Sequence, residues 1–414
     1  MAQQRQATPV WLDLTRLVSR TGRGVLTGID RVERAWLRHL LAQGAPETRY
    51  LLRSTRGYLL LDHRGASRLS AILDGAAPGA ADLLSRVAGK GSDMRHRVEA
   101  SLRRLAVDRA LPRGLPRLIA RASGADLTYL NLGHSNLSHA TLSAFASADR
   151  ARVGVLIHDL IPITHPDLAA TGMPARFAGR LDRVRACADL VLCNSAATMA
   201  DLEAHWQHAP RRPPACVAHL GLDPLPRLAG PRGPSCFVML GTIEPRKNHA
   251  LMLEVWERLA ADLPPERMPD LHIIGPVGWR VAPLMARIAA HPLLGRSIHL
   301  HGPLPEAEMQ AHLTRAAALL FPSLAEGYGY PPLEAAMMGA LPICSDLPVF
   351  RETLGNRAVY LSVTEAYPWA DTIRKHVLGI ETLPALPAPD VPGWPAHFER
   401  VARALRGIER KGHA

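Results

Sequence analysis

Short apolar runs that alternate with amphipathic stretches are the feature that most constrains the fold of this chain. Each run is about as long as a buried strand, and most of them end in Gly, Ser, Asp or Asn. They occupy residues 127–133, 153–160, 189–195, 215–221, 235–241, 271–275, 297–302, 317–323, 341–346 and 358–363. This alternation is typical of βαβ units, so we predict an α/β fold with parallel sheets covered by helices on both faces.

A Pro- and Gly-rich segment at 223–234 divides this series into two groups of similar size. The chain has 414 residues, enough for two domains that each bury a core. We predict a first domain over 1–228 and a second over 235–385. After a Pro-rich stretch, we expect a terminal helix within 393–414, packed back on the first domain. The Arg- and Ala-rich residues of about 62–125 show no confident strand and predict a helical insertion in the first domain.

The composition indicates which binding partners and which cellular compartment to expect. The formal net charge is +12, nearly all of it from arginine, which favours nucleotide diphosphates or acidic lipid surfaces. Nucleic acid is the weakest alternative, since no zinc finger, RNA-binding signature or helix-turn-helix is evident. The five cysteines form no C-x-x-C pair and so indicate neither a zinc site nor a disulfide framework. The first residues lack a signal-peptide pattern, and we expect a cytoplasmic protein.

The most informative segment, residues 322–336, reads PSLAEGYGYPPLEAA. A predicted strand ends at Phe321, a glycine-containing loop follows, and two prolines then open a helical run. A helix N-terminus at the carboxyl end of a parallel strand is a natural site for a diphosphate. Glu326 and Glu334 frame the loop, and a carboxylate can accept hydrogen bonds from vicinal sugar hydroxyls. The alternative is a simple turn with a capping glutamate.

Three further segments follow predicted strands. Residues 241–249 read GTIEPRKNH, and Arg246 and Lys247 could neutralise phosphate through charge-assisted hydrogen bonds or form a solvated basic turn. His158 ends another apolar run and could equally be a structural residue. Gly28 opens a helical run in the sequence TGID, where a single glycine is weak evidence of a ligand.

Together these segments resemble the retaining glycosyltransferases of family 4, which have the GT-B fold. PSLAEGYGYPPLEAAMMG is similar to the Glu-x7-Glu motif of that family, and GTIEPRKN to its G-x-x-x-x-RKN loop. HDLIP resembles a first-half segment of its bacterial polysaccharide transferases, and TGID resembles a glycine turn in the first half of many members of the family. The resemblance runs with good continuity from about residue 127 to 363, is weak over the first 60 residues and fails over 62–125. The chain departs from it at Thr242, where many members carry arginine, and at Asp30, where they often carry a second glycine.

The resemblance implies roles for individual residues. Glu326 would contact hydroxyls of the donor sugar, and Glu334 would contact the nucleotide ribose. Arg246 and Lys247 would bind the diphosphate and stabilise it as the leaving group, and His158 would lie across the cleft. The implied catalytic residues are His158, Arg246, Lys247 and Glu326. The implied donor-binding residues are Gly28, Gly241, Arg246, Lys247, Glu326, Gly327, Tyr328, Gly329 and Glu334.

The expected activity is transfer of a hexose from a nucleotide sugar to a saccharide or lipid-linked saccharide, with retention and by front-face displacement. No D-x-D motif is present, so we expect neither a metal nor another cofactor. The residues of the HDLIP and TIEPRKN segments favour GDP-mannose as the donor and surface polysaccharide biosynthesis as the pathway. The alternatives are a GT-B nucleotide-sugar epimerase, a phosphorylase with a pyridoxal-binding lysine, and a non-catalytic nucleotide-sugar-binding partner of another transferase.

The arginine-rich segment 95–121 suggests a further partner. Part of it, about 95–111, is patterned as a basic amphipathic helix that could lie on an anionic membrane. The sequence singles out Arg97, Arg103 and Arg104 for this contact, which would place the protein peripherally on the inner membrane face. A solvated basic surface is the alternative.

Overall fold

The structure is a computed structural model that describes residues 8–22, 24, 26–82, 92–122, 126–225, 235–387 and 390–408. Two sheets organise these residues, one in each half of the chain. The strands of the first sheet are β1 Val10–Asp13, β2 Arg49–Ser54, β3 Gly57–Leu61, β4 Asp108–Ala110, β5 Leu127–Asn131, β6 Ala151–Ile157, β7 Leu190–Cys193 and β8 Ala215–Val217.

The order of strands in the first sheet is β4-β3-β2-β1-β5-β6-β7-β8. The pairs from β2 through β1 to β8 are parallel, whereas β3 pairs antiparallel with both β2 and β4. The central strands are buried along their whole length, as the apolar runs require when both faces are covered. The prediction of a parallel sheet is therefore confirmed for the central strands, with an antiparallel edge added.

Nine helices of the first domain lie among the described residues and cover this sheet. They are α1 Thr15–Arg20, α2 Gly28–Gln43, α3 His63–Leu73, α4 Asp93–Leu105, α5 Leu115–Ala122, α6 His139–Ala146, α7 Ile161–Thr164, α8 Met173–Cys187 and α9 Ala196–Trp206. Helix α2 begins with a capping box between Thr27 and Asp30 and ends at Gly44 in the left-handed conformation. This helix carries Gly28 to the edge of the cleft.

The second sheet has six parallel strands in the order β11-β10-β9-β12-β13-β14. They are β9 Cys236–Leu240, β10 Asp270–Ile274, β11 Ile298–His301, β12 Ala318–Phe321, β13 Leu341–Ser345 and β14 Val359–Leu361. The helices among them are α10 His249–Asp262, α11 Ala282–Ala289, α12 Glu306–Arg315, α13 Tyr330–Met337, α14 Pro348–Leu354 and α15 Tyr367–Val377.

The last helix of the described residues, α16 Trp394–Arg406, lies against the first domain. Trp36 Nε1 donates to His397 Nε2 over 3.0 Å, and Arg400 Nε donates to the Val217 carbonyl oxygen over 3.2 Å. The ring of Phe398 also contacts Trp36, with their centroids 4.9 Å apart. The described part of the chain therefore crosses back from the second domain to the first.

The segment between residues 62 and 125 differs from the helical insertion predicted for it. It contains helices α3, α4 and α5, but also β4, which extends the first sheet beyond β3. The amphipathic helix expected over about 95–111 ends at Leu105, because the chain then enters β4. A strand of three residues has too few side chains to show a period of two.

Among the helices that the structure describes, none combines the length and apolar character that crossing a bilayer requires.

Candidate active site

The loops that follow β9 and β12 lie side by side, because these strands are neighbours in the second sheet. Leu324 N–H donates to the Arg246 carbonyl oxygen over 2.8 Å. The Arg246 guanidinium in turn donates to the Ala325 carbonyl oxygen over 3.1 Å. The two sequence motifs thus form one site at the carboxyl edge of the sheet, the edge at which open α/β sheets bind ligands.

The Glu326 carboxylate is the centre of this site. It accepts hydrogen bonds from Lys247 Nζ and, over 3.0 Å, from Ser323 Oγ, and it forms an ion pair with Arg246. Burial alone would raise the pKa of Glu326, but the two cations outweigh burial and lower this pKa to about 2. Glu326 therefore remains ionised at neutral pH.

The two cations of the site differ in their surroundings. Burial lowers the pKa of Lys247 to about 8, although Glu326 opposes the shift. The Lys247 ammonium also lies 4.0 Å from the centroid of the Phe321 ring. Arg246 pairs with Glu244 at 2.6 Å as well as with Glu326, and these carboxylates raise the pKa of Arg246 despite burial. An anionic ligand could take over contacts that the carboxylates make with these cations.

Close packing explains why glycine occupies two of the positions predicted to bind the donor, Gly327 and Gly329. A Cβ on Gly327 would lie 2.3 Å from the His158 carbonyl oxygen, so only glycine allows the two domains to approach there. Gly329 has φ +92°, and a Cβ on it would lie 2.6 Å from the Phe350 ring. Gly241 is less constrained by its neighbours, since a Cβ there would lie 3.3 Å from Lys247 Cε.

Tyr328 and Tyr330 connect the loop to the end of the first domain. The Tyr328 hydroxyl donates to the Leu220 carbonyl oxygen over 2.7 Å, and the Tyr330 hydroxyl donates to the Gly221 carbonyl oxygen over 3.3 Å. Both rings are buried. Tyr328, which the sequence assigned to donor binding, therefore uses its hydroxyl in a contact between domains.

Glu334, in the first turns of α13, forms an ion pair with Arg31 of α2. Burial raises the pKa of Glu334, although Arg31 opposes the shift. The Arg31 guanidinium also lies 4.7 Å from the centroid of the Tyr330 ring. Gly28 is one turn away on α2, and a Cβ on it would lie 3.1 Å from the same ring. The structure thus brings Gly28 and Glu334 to one part of the cleft.

Asp30 stands where the resemblance implies a second glycine. Its buried carboxylate pairs with Arg16 at 2.6 Å and accepts a hydrogen bond from Thr27 N–H over 2.8 Å. Arg16 also donates to Thr27 Oγ1 over 3.2 Å. The carboxylate therefore caps α2 and fixes an arginine beside it.

His158 lies at the carboxyl end of β6 and is buried. Its Nε2 lies 2.6 Å from the Leu132 carbonyl oxygen, and its backbone N–H donates to His134 Nε2 over 3.2 Å. Burial lowers the pKa of His158 to about 4, so the imidazole is neutral at physiological pH. The backbone of His158, rather than its ring, makes the close approach to Gly327.

Several residues that the sequence did not assign to the site join the two domains around it. Ser195 caps α9 and donates from Oγ to the Gly327 carbonyl oxygen over 3.2 Å. Glu352 of α14 accepts a hydrogen bond from Ala196 N–H over 2.6 Å, and its carboxylate lies 2.6 Å from His219 Nε2. Burial would raise the pKa of Glu352, but His219 and the α9 N–H groups lower it. Glu352 therefore stabilises the domain interface as a charged group.

Two Rossmann-like domains that face a central cleft, with loops at the carboxyl ends of their strands, define the GT-B class of protein. HepE from Anabaena, solved in complex with UDP-glucose, superposes with a TM-score of 0.62 at 13% identity over 97% of this chain and 100% of that one. A structure of S. aureus TarM with UDP gives a TM-score of 0.50 at 15% identity, over 72% of this chain and 56% of that one. The predicted GT-B fold is confirmed.

Residues 227–378 match the family of glycosyl transferases group 1. The serotype-specific mannosyltransferase WbdA of Escherichia coli is 30% identical over 226 residues, which are 50% of this chain and 27% of WbdA. The O-antigen chain mannosyltransferase RfbU of Salmonella typhimurium is 39% identical over 77 residues, 19% of this chain and 21% of RfbU. The matched regions thus span only about a quarter of these relatives.

Proposed function

We propose that this protein is a retaining glycosyltransferase of family 4 that moves a hexose from a nucleotide diphosphate sugar to a hydroxyl of a saccharide or lipid-linked saccharide. One observation carries the proposal. Arg246, Lys247 and Glu326 converge at the carboxyl ends of β9 and β12, which combines a phosphate-binding pair with a carboxylate for sugar hydroxyls. The match to glycosyl transferases group 1 covers these same residues.

The charges of the site suggest how it handles the donor. The diphosphate takes over hydrogen bonds that Arg246 and Lys247 now make to Glu326, and the carboxylate turns to the sugar hydroxyls. As the glycosidic bond breaks, negative charge develops on the diphosphate, and both cations stabilise it. The acceptor hydroxyl attacks the sugar from the face that the diphosphate leaves, and this direction of attack preserves the anomeric configuration. The hydroxyl passes its proton to the leaving diphosphate. This route gives no step to a metal ion.

The nucleotide half of the donor lies near Glu334 in this proposal. The Glu334 carboxylate accepts hydrogen bonds from the ribose hydroxyls, and Arg31 offsets part of the effect of burial, which raises the pKa of this carboxylate. Because Arg31 belongs to the first domain and Glu334 to the second, a bound nucleotide would couple ligand binding to closure of the cleft.

The relatives guide the choice of donor and pathway. WbdA is a serotype-specific mannosyltransferase, and RfbU is an O-antigen chain mannosyltransferase. We propose GDP-mannose as the donor and surface polysaccharide biosynthesis as the setting. UDP is the nucleotide in the HepE and TarM structures, so UDP-sugars are the competing donors.

The acceptor places the protein next to a membrane in this proposal. A lipid-linked saccharide is presented at the inner leaflet, and a protein with net charge +12 is attracted to anionic lipid. The first domain carries exposed arginines beside exposed Val107 and Leu111, which suits peripheral contact.

A thermal-shift screen against GDP-mannose, UDP-glucose and a dTDP-sugar tests the donor assignment, because a ligand of the native state raises its stability. We expect the largest shift with GDP-mannose. Glu334→Ala should weaken donor affinity by roughly tenfold to a hundredfold, the effect of about 1.5–3 kcal/mol for a hydrogen bond to a charged group.

Glu365→Ala is the matched control, since Glu365 is an exposed carboxylate of the same domain. The melting temperature of each variant without ligand separates lost binding from lost folding. Donor affinity that is unchanged in Glu334→Ala would contradict the site assignment, and a donor converted to its epimer without an acceptor would show an epimerase instead.

A further inference from the structure

Four histidines lie together on one face of the second sheet. They are His272 on β10, His299 and His301 on β11, and His312 on α12. His272 and His299 are directly paired in the parallel register. His299 and His301 are two residues apart on one strand and therefore point to the same face. Helix α12 packs His312 over this face, with its ring centroid 4.9 Å from that of His272 and 5.0 Å from that of His301.

Three of these rings converge through their nitrogen atoms. One ring nitrogen from each of His272, His301 and His312 lies within 4.8 Å of the other two. The shortest separation, between His272 Nδ1 and His301 Nε2, is 3.0 Å. Two ligands of tetrahedral zinc with bonds of about 2.0–2.1 Å are roughly 3.4 Å apart. Small rotations of the three rings would therefore bring their nitrogens to the distances that a metal ion requires.

The surroundings hold the rings in place while leaving them accessible. All three rings belong to residues that are neither fully buried nor fully exposed, so an ion from solvent can reach them. His299 stacks on His272 with centroids 4.8 Å apart and an angle of 20° between the planes. His299 Nε2 is fixed in turn by Asp270 Oδ1 at 2.9 Å. The fixed ring of His299 therefore packs against one proposed ligand ring, His272, and limits its movement.

We propose that His272, His301 and His312 form a binding site for a divalent transition-metal ion, with Zn²⁺ as its ion. Imidazole nitrogen is a preferred ligand of Zn²⁺, and three protein ligands leave a fourth position for water or a small anion. Harder ions such as Mg²⁺ and Ca²⁺ prefer oxygen ligands and are excluded.

The site would act on the stability of the second domain. Its ligands come from three elements that span residues 272–312, and the unfolded chain does not hold them together. A metal that binds only the folded arrangement stabilises it by mass action. The ligands lie on β10, β11 and α12, whereas Arg246, Lys247 and Glu326 lie on the loops after β9 and β12. The metal is therefore not part of the proposed transfer reaction.

Calorimetric titration of the chelator-treated full chain with Zn²⁺ tests the proposal. We expect one strong site per chain and a rise in melting temperature of about 5 °C at saturating Zn²⁺. His272→Gln, His301→Gln and His312→Gln should each lower the affinity at least about tenfold, and the triple variant should abolish the strong site. His205→Gln/His208→Gln is the matched control, because it removes two exposed histidines of the first domain and should change nothing.

Cobalt provides a measurement that needs no variant. Co²⁺ bound by three imidazoles and water in a tetrahedral arrangement should give intense visible absorption, which Zn²⁺ should displace. Strong Zn²⁺ binding that persists in the triple variant would overturn the proposal, as would the absence of a stoichiometric site in the wild type. Octahedral Co²⁺ spectra would overturn the assigned ligand set.

Discussion

Arg246, Lys247 and Glu326 of the second domain contact one another through charged side chains. On the opposite side of the cleft, His158 and Ser195 meet the second domain chiefly at the backbone of Gly327. In the proposed complex these second-domain contacts are exchanged for contacts to the ligand, since Arg246 and Lys247 would donate to phosphate oxygens and Glu326 would accept from sugar hydroxyls. The contacts at Gly327 fix the distance between the domains and involve no charged side chain, whereas Arg31 of the first domain brings charge to the cleft at Glu334.

This difference separates two kinds of residue in one cleft. Charged groups of the second domain define which ligand is attracted, because they determine the sign and position of the field. The His158 carbonyl oxygen and the Ser195 hydroxyl of the first domain pack closely on Gly327 and set how near the two domains approach. Substitutions on the two sides should therefore fail in different ways.

Removing either cation of the second domain should give the largest effect. Arg246→Ala or Lys247→Ala should lower turnover at least about a hundredfold, because one charge that stabilises the leaving diphosphate is lost. Steady-state transfer with saturating donor measures this. Lys375→Ala is the control, as Lys375 belongs to the same domain and pairs with Asp371 on α15. Turnover near the wild-type value in either site variant would remove the charge-stabilisation role.

Each cation variant also leaves Glu326 with less compensation for its burial. The free energy of unfolding should therefore be measured beside turnover. A variant that folds, melts close to the wild type and fails in transfer separates the catalytic loss from a structural one.

His158→Ala, on the first-domain side of the cleft, should have a different effect from the cation variants of the second domain. We expect transfer to be lost while donor affinity remains, because the donor lies mainly against the second domain. The low pKa of about 4 for His158 means that the imidazole is neutral above that pH, so its titration should not shape the rate between about pH 5.5 and 8. His158→Gln, which keeps a hydrogen-bonding group, should retain more folding stability than His158→Ala. Full transfer in His158→Ala would make this histidine purely structural.

The sequence predicts that Arg246, Lys247 and Glu326 lie near one another because the signals for them are local. Residues 241–249 and 322–336 are each continuous, and both follow apolar runs that become adjacent strands. The prediction of two Rossmann-like domains rests on the same local alternation. The local pattern alone therefore predicts Arg246, Lys247 and Glu326 at one sheet edge, without any long-range contact.

Other features depend on contacts that no local pattern encodes. The Arg31–Glu334 ion pair joins residues 303 positions apart, and the histidines on β10, β11 and α12 meet only through strand register and helix packing. The hairpin of β2 and β3 was not predicted, although its strands are apolar, because the run at 49–61 also carries arginines at its turn. Such features can be predicted only once the topology of the fold is known.

The contacts of the arginines near α4 could not be predicted from the local sequence pattern either. Arg103 is buried and pairs with Asp82, Arg95 pairs with Glu99, and Arg97 donates to the Gly79 carbonyl oxygen over 2.7 Å. The choice of Arg103 as a membrane-facing residue was therefore wrong, since a buried side chain cannot contact lipid. Its replacement by glutamate would disturb folding.

We propose the segment after α4 as a better candidate for the predicted membrane contact. Arg109, Arg113 and Arg117 are exposed there, next to Val107 and Leu111, which are 53% and 75% exposed. Basic side chains around exposed apolar ones suit the surface of an anionic bilayer, where each cation contributes about 1 kcal/mol. Replacing the three arginines by glutamate should weaken binding to anionic liposomes by at least about a hundredfold and leave transfer to a soluble acceptor unchanged.

Sedimentation with anionic and neutral liposomes, at low and high salt, measures this loss of membrane binding. Of the predicted changes, it is the one with the smallest effect on the transfer reaction. Binding to anionic vesicles should fall as salt screens the charges. The matched control replaces Arg258, Arg267 and Arg296, which are exposed on the second domain, with glutamate. Since the two triple variants change net charge equally, a difference between them assigns the contact to the first domain. Equal losses would instead show attraction by net charge alone, and a wild type that ignores anionic vesicles at low salt would exclude the membrane contact while leaving the second-domain site intact.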